Sequence, residues 1–255
     1  MFQSKTDRIK ELATKYPQRI NELERIFEKS TNIYIDFSNV IGWQVKLGWH
    51  VDLKRMKQLL SSFDTVREIK IYFGTLVGDR KSEDFIKEAR EYGYQLVTKP
   101  VKIMKISIDV SSISPESPEI LKQFIRPPLL QKLNIETIKL LNSKLKDLNQ
   151  QGILWLEDCK CNFDVEIGRD MLIDYAADHV ENFVLWSGDS DFADPIRQLL
   201  TVGKKVVLFA TARKVATELN DLVKDGLFIF DIQKIRDFIC WPKEISHKMQ
   251  RGLTK

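Results

Sequence analysis

Two aspartates, Asp189 and Asp191, stand two residues apart in Ser187-Gly188-Asp189-Ser190-Asp191-Phe192, directly after the apolar run Phe183-Val184-Leu185-Trp186. Carboxylates held this close repel one another unless a cation or a proton joins them. A second apolar run, Ile33-Tyr34-Ile35, ends in Asp36 and is followed by Asn39, while Asp164 opens a segment with the character of a helix start. Magnesium and manganese take oxygen ligands of this kind. A bound cation of that class can activate water against a phosphodiester and stabilise the charge that develops. Asp36, Asp164, Asp189 and Asp191 are therefore the candidate catalytic and metal-binding acids. Each has a structural rival: Asp36 as a turn cap, Asp164 and Asp191 as helix N-caps, Asp189 as an acceptor in its turn. Asp170 is a further candidate ligand, but six positions past Asp164 place it roughly 240° around a helix, off that residue's face. The residue on Asp164's face is Gly168, small enough to leave room for substrate. The Asn39 amide, the Ser187 hydroxyl and the Gly188 N–H are candidate contacts to substrate or to a metal-bound water.

These residues need strand ends and helix starts to hold them. Apolar runs at 32–37, 68–73 and 94–97 alternate with helical patterns near 53–62, where Asp52 can cap, and from Ser82 to before Gly93. That βαβαβ order predicts a parallel sheet with helices on both faces, a three-layer Rossmann-like α/β fold. From Asp164 the order resumes: a helix to about Ala177, a strand at 182–187, a helix at 192–202, a strand at 205–209, a helix near 214–222, a strand at 227–230 and a helix at 232–239. Ligands of such sheets bind at the carboxyl ends of the strands. The segment 42–50 reads as a loop carrying Trp43 and Trp49, with Trp43 a candidate stacking face for a base; the bland alternative is that both tryptophans cover the core. Residues 5–29 read as amphipathic helices added before the sheet. Residues 111–150 read as a largely helical insertion, with Pro127-Pro128 halting a short helix and a strong helical period from Ile135 to Leu148. The expected organisation is a helical extension over 1–30, an α/β domain over 31–240 and a tail over 241–255. The extension and the insertion are the candidate surfaces for self-association or a protein partner.

Composition excludes several classes. The chain has 255 residues, 43% hydrophobic, and a formal net charge of +4. No apolar run approaches the ~20 residues needed to cross a bilayer, and Met1 to Lys15 is charged, without the apolar core of a signal peptide. A cytoplasmic protein with no membrane association is the expectation. The three cysteines, Cys159, Cys161 and Cys240, make no zinc pattern. None of His50, His179 and His247 has the spacing of a nucleophilic triad, and no glycine-rich phosphate loop is present. Basic pairs follow strand ends: Lys54-Arg55, Arg80-Lys81 and Arg213-Lys214. Arg80 and Lys81 are the candidate contacts to a polyanionic substrate; the alternative for each pair is a solvated helix face.

Taken in order, Asp36-x-x-Asn39, Asp164 through Asp170, Ser187-Gly188-Asp189-Ser190-Asp191-Phe192 and Gly203-Lys204-Lys205-Val206 resemble the NYN domains of the LabA-like branch of the PIN-like nucleases. The resemblance covers most of 31–238. It implies a PIN-type fold with the strands of Asp36 and Asp189 as neighbours, an acid at the place of Asp170, and a magnesium- or manganese-dependent ribonuclease acting on single-stranded RNA. RNA rather than DNA comes from the resemblance alone. Two other functions fit the same residues: a non-catalytic RNA-binding or regulatory module, disfavoured because the acids are retained, and a metal-dependent phosphatase. The phosphoaspartate route of some phosphatases needs a second acid two residues after the first, where this chain has Ser38.

Overall fold

The structure, a computed structural model, describes residues 1–211 and 215–241. Two compact units result, one built from Met1–Pro100 with the chain from Asn162 onward, the other from Val101–Cys161.

The first unit begins with helices α1 (Asp7–Lys15) and α2 (Pro17–Ile26). Thr6 caps α1, and Pro17 occupies the first turn of α2, where its missing N–H costs nothing. Strand β1 (Thr31–Asp36) is buried along its whole length, as expected of a central parallel strand covered on both faces. Helix α3 (Phe37–Leu47) follows at once, so the loop expected at 42–50 is instead mostly helix. Two features of the sequence account for it. The Asp36 side chain accepts from the backbone N–H of Ser38 and Asn39, satisfying the first turn, and Phe37, Val40 and Trp43 form a buried stripe. Gly48 ends the helix at φ 65°, a left-handed conformation that glycine adopts without penalty.

Strand β2 (His50–Val51), helix α4 (Leu53–Leu60), strand β3 (Val66–Thr75), helix α5 (Arg80–Glu91) and strand β4 (Gln95–Pro100) complete the first half. Asp52 caps α4 as expected, and Asp79 caps α5.

The second unit pairs β5 (Lys102–Ser107) antiparallel with β6 (Trp155–Lys160) around α6 (Pro127–Leu130) and α7 (Ile135–Gln150). The short helix expected before Pro127-Pro128 is a 3-10 turn, Leu121–Gln123, and the two prolines open α6, because a proline ring fits the first turn. Asn134 caps α7, and from within it Asn142 donates to the carbonyls of Pro115 and Ser117, tying the turn-rich stretch to the helix.

Back in the first unit come α8 (Asp164–Ala176), β7 (Asn182–Trp186), α9 (Ala193–Thr201), β8 (Lys205–Ala210), α10 (Thr217–Asp221), β9 (Phe228–Asp231), α11 (Arg236–Ile239) and β10 (Cys240–Trp241). The six main strands pair in the order β4-β3-β1-β7-β8-β9, all parallel. With helices against the sheet this is the three-layer α/β fold that the strand-helix alternation predicts. The pairing of β10 with β2 was not foreseen, since both strands are two residues long. Arg213, Lys214 and most of the tail expected over 241–255 lie outside the described residues. No helix among the described residues is long and apolar enough to cross a membrane.

One consequence of the topology positions the site. From β1 the chain moves outward to β3 and β4, and on its return enters β7 on the opposite side of β1. The connections therefore diverge between β1 and β7. That is the switch point at which open α/β sheets leave a crevice at their carboxyl edge.

Candidate active site

Ile35 of β1 lies beside Trp186 of β7, so Asp36 and Ser187 leave the sheet side by side. After Ser187 and Gly188 the chain turns through a 3-10 segment, Ser190–Phe192, into α9. The Asp189 N–H donates to the Ser187 hydroxyl at 3.3 Å, and the Gly188 carbonyl accepts from the Ala216 N–H at 3.1 Å. Ser187 and Gly188 thus both help to set the turn; Ser187 is fully buried.

This turn brings Asp189 and Asp191 to Asp164. One carboxylate oxygen from each of the three lies within 4.8 Å of the others. Asp164 is the first residue of α8 and does not cap it: its own N–H donates to the Asn162 side chain at 2.7 Å. Asp191 caps no helix either. Burial pushes the Asp164 carboxyl up to about 6, reinforced by a hydrogen bond shared with Asp191 and by the charges of Asp189 and Asp191, and opposed by its bond to Asn162. Asp164 Oδ2 is buried and has no hydrogen-bond partner. Three converging carboxylates with an orphaned buried oxygen fit a hard divalent cation, which would satisfy that oxygen and cancel the repulsion.

Asp36 stands outside this group. Its Oδ1 accepts from the Ser38 N–H and hydroxyl and the Asn39 N–H, and its Oδ2 from the Asn39 amide at 2.6 Å. The structure gives Asp36 the capping role, with Asn39 as its partner, and fills the third place in the acid group with Asp191. Asp170 is turned elsewhere too. It accepts from the Tyr72 hydroxyl at 2.9 Å and pairs with Arg169 at 2.9 Å. One helical turn on, Asp174 accepts from Asn32, Tyr34 and Lys70 at 2.9, 2.6 and 2.7 Å. Burial pushes the Asp174 carboxyl up, but these three donors outweigh it and hold it below the usual range. Asp170 and Asp174 form a polar seam between α8 and the sheet. Their i, i+4 spacing signals a shared face; the buried hydroxyls that meet them are not readable from one segment of sequence.

Trp43 must be corrected. It is 4% exposed, so its ring faces belong to the core and cannot stack on a base. Trp49 is also buried, beneath Arg236. Arg80 and Lys81 are exposed at the start of α5, after the carboxyl end of β3. Arg55 is committed elsewhere: it donates to the Cys240 carbonyl and lies 3.5 Å from the Trp241 ring.

A cleft of about 890 Å³ adjoins the acids and shares Asp164 and Asp191 with them. Gly168 lies on its wall, where an added Cβ would sit 3.6 Å from the Pro195 ring. Lys99 and Glu166 also line it, paired at 2.7 Å. The hydrogen bond from Lys99 holds the Glu166 carboxyl below its ordinary range. Sequence reasoning missed both residues, because Lys99 comes from the edge strand β4 and nothing local announces that it reaches α8.

A family model for the NYN domain matches residues 121–230. NYN domains are in general PIN-like nucleases. The matched stretch contains Asp164, Asp189 and Asp191. No curated protein matches the chain. A crystal structure of a protein of unknown function from Vibrio parahaemolyticus is similar at a TM-score of 0.49 and 18% identity, over 84% of this chain and 96% of that one.

Proposed function

We propose that the protein is a metal-dependent ribonuclease of the LabA-like branch, an endonuclease on single-stranded RNA, with magnesium or manganese held by Asp164, Asp189 and Asp191. The observation that carries this is the convergence of the three carboxylates within 4.8 Å at the sheet's switch point. A bound cation supplies water activation and charge stabilisation at a phosphodiester.

The chain's own residues do the rest. Asp164, at the start of α8, and Asp189 and Asp191, on the turn after β7, offer oxygens from two rigid elements, so the ligand set is assembled before substrate arrives. Ser187 and Gly188 hold the turn that aims Asp189. Asp36 and Asn39 keep the start of α3 fixed beside it. The exposed Arg80 and Lys81 are suited to contact backbone phosphates, which lie along any RNA strand irrespective of sequence.

The deciding experiment is incubation of the purified protein with mixed-sequence RNA oligonucleotides in magnesium, manganese or chelator. Cation-dependent internal cleavage supports the reading. Absence of cleavage in all three, with RNA still bound, would leave a non-catalytic RNA-binding module.

A further inference from the structure

We propose that the cleft beside the three acids is a nucleobase subsite, and that Glu166 selects within it for a base edge bearing adjacent N–H donors, guanine above the others. The inference rests on the ribonuclease reading, since the cleft shares Asp164 and Asp191 with the acid group.

Its volume of about 890 Å³ falls within the range of small-molecule sites. Val165, Leu172 and Pro195 give it apolar surface, and Gly168 contributes no side chain. A flat aromatic ring suits such walls. The charge argues in the same direction. Among the described residues, Asp164, Glu166, Asp191 and Asp194 line the cleft against the single cation Lys99. A phosphate would meet net repulsion there, whereas a neutral ring with N–H donors would not.

Glu166 sharpens the choice. Its Oε1 accepts from Lys99 at 2.7 Å, which fixes the side chain, while its Oε2 is buried and accepts nothing. A buried acceptor without a partner costs about 1–3 kcal/mol, and a ligand N–H would relieve it. Guanine presents a ring N–H and an amino group side by side, the pattern a carboxylate accepts best. Uracil presents one N–H between two carbonyls, and those oxygens would face the carboxylate. Gln198, also on the cleft wall, carries an amide that can serve the remaining base edge.

The test uses the full chain. Binding of guanosine and of uridine is measured by calorimetry in chelator, and cleavage sites are mapped on an RNA containing all four bases in manganese. Guanosine should bind about tenfold tighter than uridine or better, the gain from one satisfied buried acceptor. Glu166→Ala should remove the difference. Glu166→Gln should remove it as well, since its carbonyl keeps Lys99 and its NH₂ replaces the open acceptor; this variant should retain the wild-type melting temperature. Equal binding of the two nucleosides, binding of neither, or a guanosine preference that survives in Glu166→Gln overturns the inference. Cleavage without base preference overturns it and leaves the ribonuclease reading intact. A Glu166-dependent guanosine preference without cleavage upholds the subsite and overturns only the ribonuclease reading.

Discussion

Asp164, the first residue of α8, and Asp191, on the turn that enters α9, hold carboxylate oxygens within 4.8 Å of each other. Burial raises the Asp164 pKa, and two carboxyl groups this close favour a proton between them, which keeps it raised; a cation at the same place would replace that proton.

The first prediction follows from that exchange. Asp164 has a folded-state pKa of about 6 against an ordinary 3.8. Between those values the folded state binds more protons than the unfolded one, so without cation this group's contribution to stability falls as pH rises. A divalent cation competes with the proton. Manganese should therefore raise the melting temperature more at pH 7.5 than at pH 5, with chelator as reference. An equal rise at both pH values would show that Asp164 does not take part in binding.

Removing one charge separates catalysis from stability. Asp189→Asn should lower RNA cleavage by at least about 100-fold, the upper end of what loss of even an outer partner of a metal site costs. In chelator its melting temperature should equal or exceed wild type, because one repulsion is gone. Cleavage at the wild-type rate would remove Asp189 from the ligand set.

The seam under α8 should behave differently. Asp174→Ala strips the Lys70 ammonium and the Tyr34 hydroxyl, both in buried residues, of their carboxylate. The expected loss is about 3 kcal/mol in urea unfolding, near the lower end for a broken buried pair because Asp174 is partly exposed. Asp170→Asn should cost about 1 kcal/mol through its bond with Tyr72. If Asp170→Asn instead abolished cleavage while folding normally, Asp170 would belong with the ligands after all.

RNA binding should weaken steeply with salt. Reversing Arg80 and Lys81 to Glu should lower affinity and reduce the slope of log K against log salt by about 1.4, from two lost phosphate contacts on a single strand. Filter binding between about 50 and 200 mM salt measures it. An unchanged slope would place the RNA track elsewhere.

The alternation of apolar runs with helical periods was enough to determine the parallel sheet, because buried parallel strands must be apolar throughout. Val184 to Trp186 and Ile33 to Ile35 show this directly. Asp52 as a helix cap was equally legible, since capping is settled within four residues. The acids at 164, 189 and 191 were legible as candidates by type and position. Their company was not. Whether Asp36 or Asp191 joins Asp164 and Asp189 depends on where each carboxylate finds donors, and Asp36 finds them in Ser38 and Asn39. Trp43 shows the same limit: a tryptophan among glycines reads as loop until a helix caps at Asp36 and turns the ring inward. Asp170 and Asp174 were decided by Tyr72, Tyr34 and Lys70, residues on strands far away in sequence. Local interactions are encoded within a few residues and can be read from the chain. The partner of a buried polar atom is chosen only when distant segments pack, so it belongs to the tertiary structure.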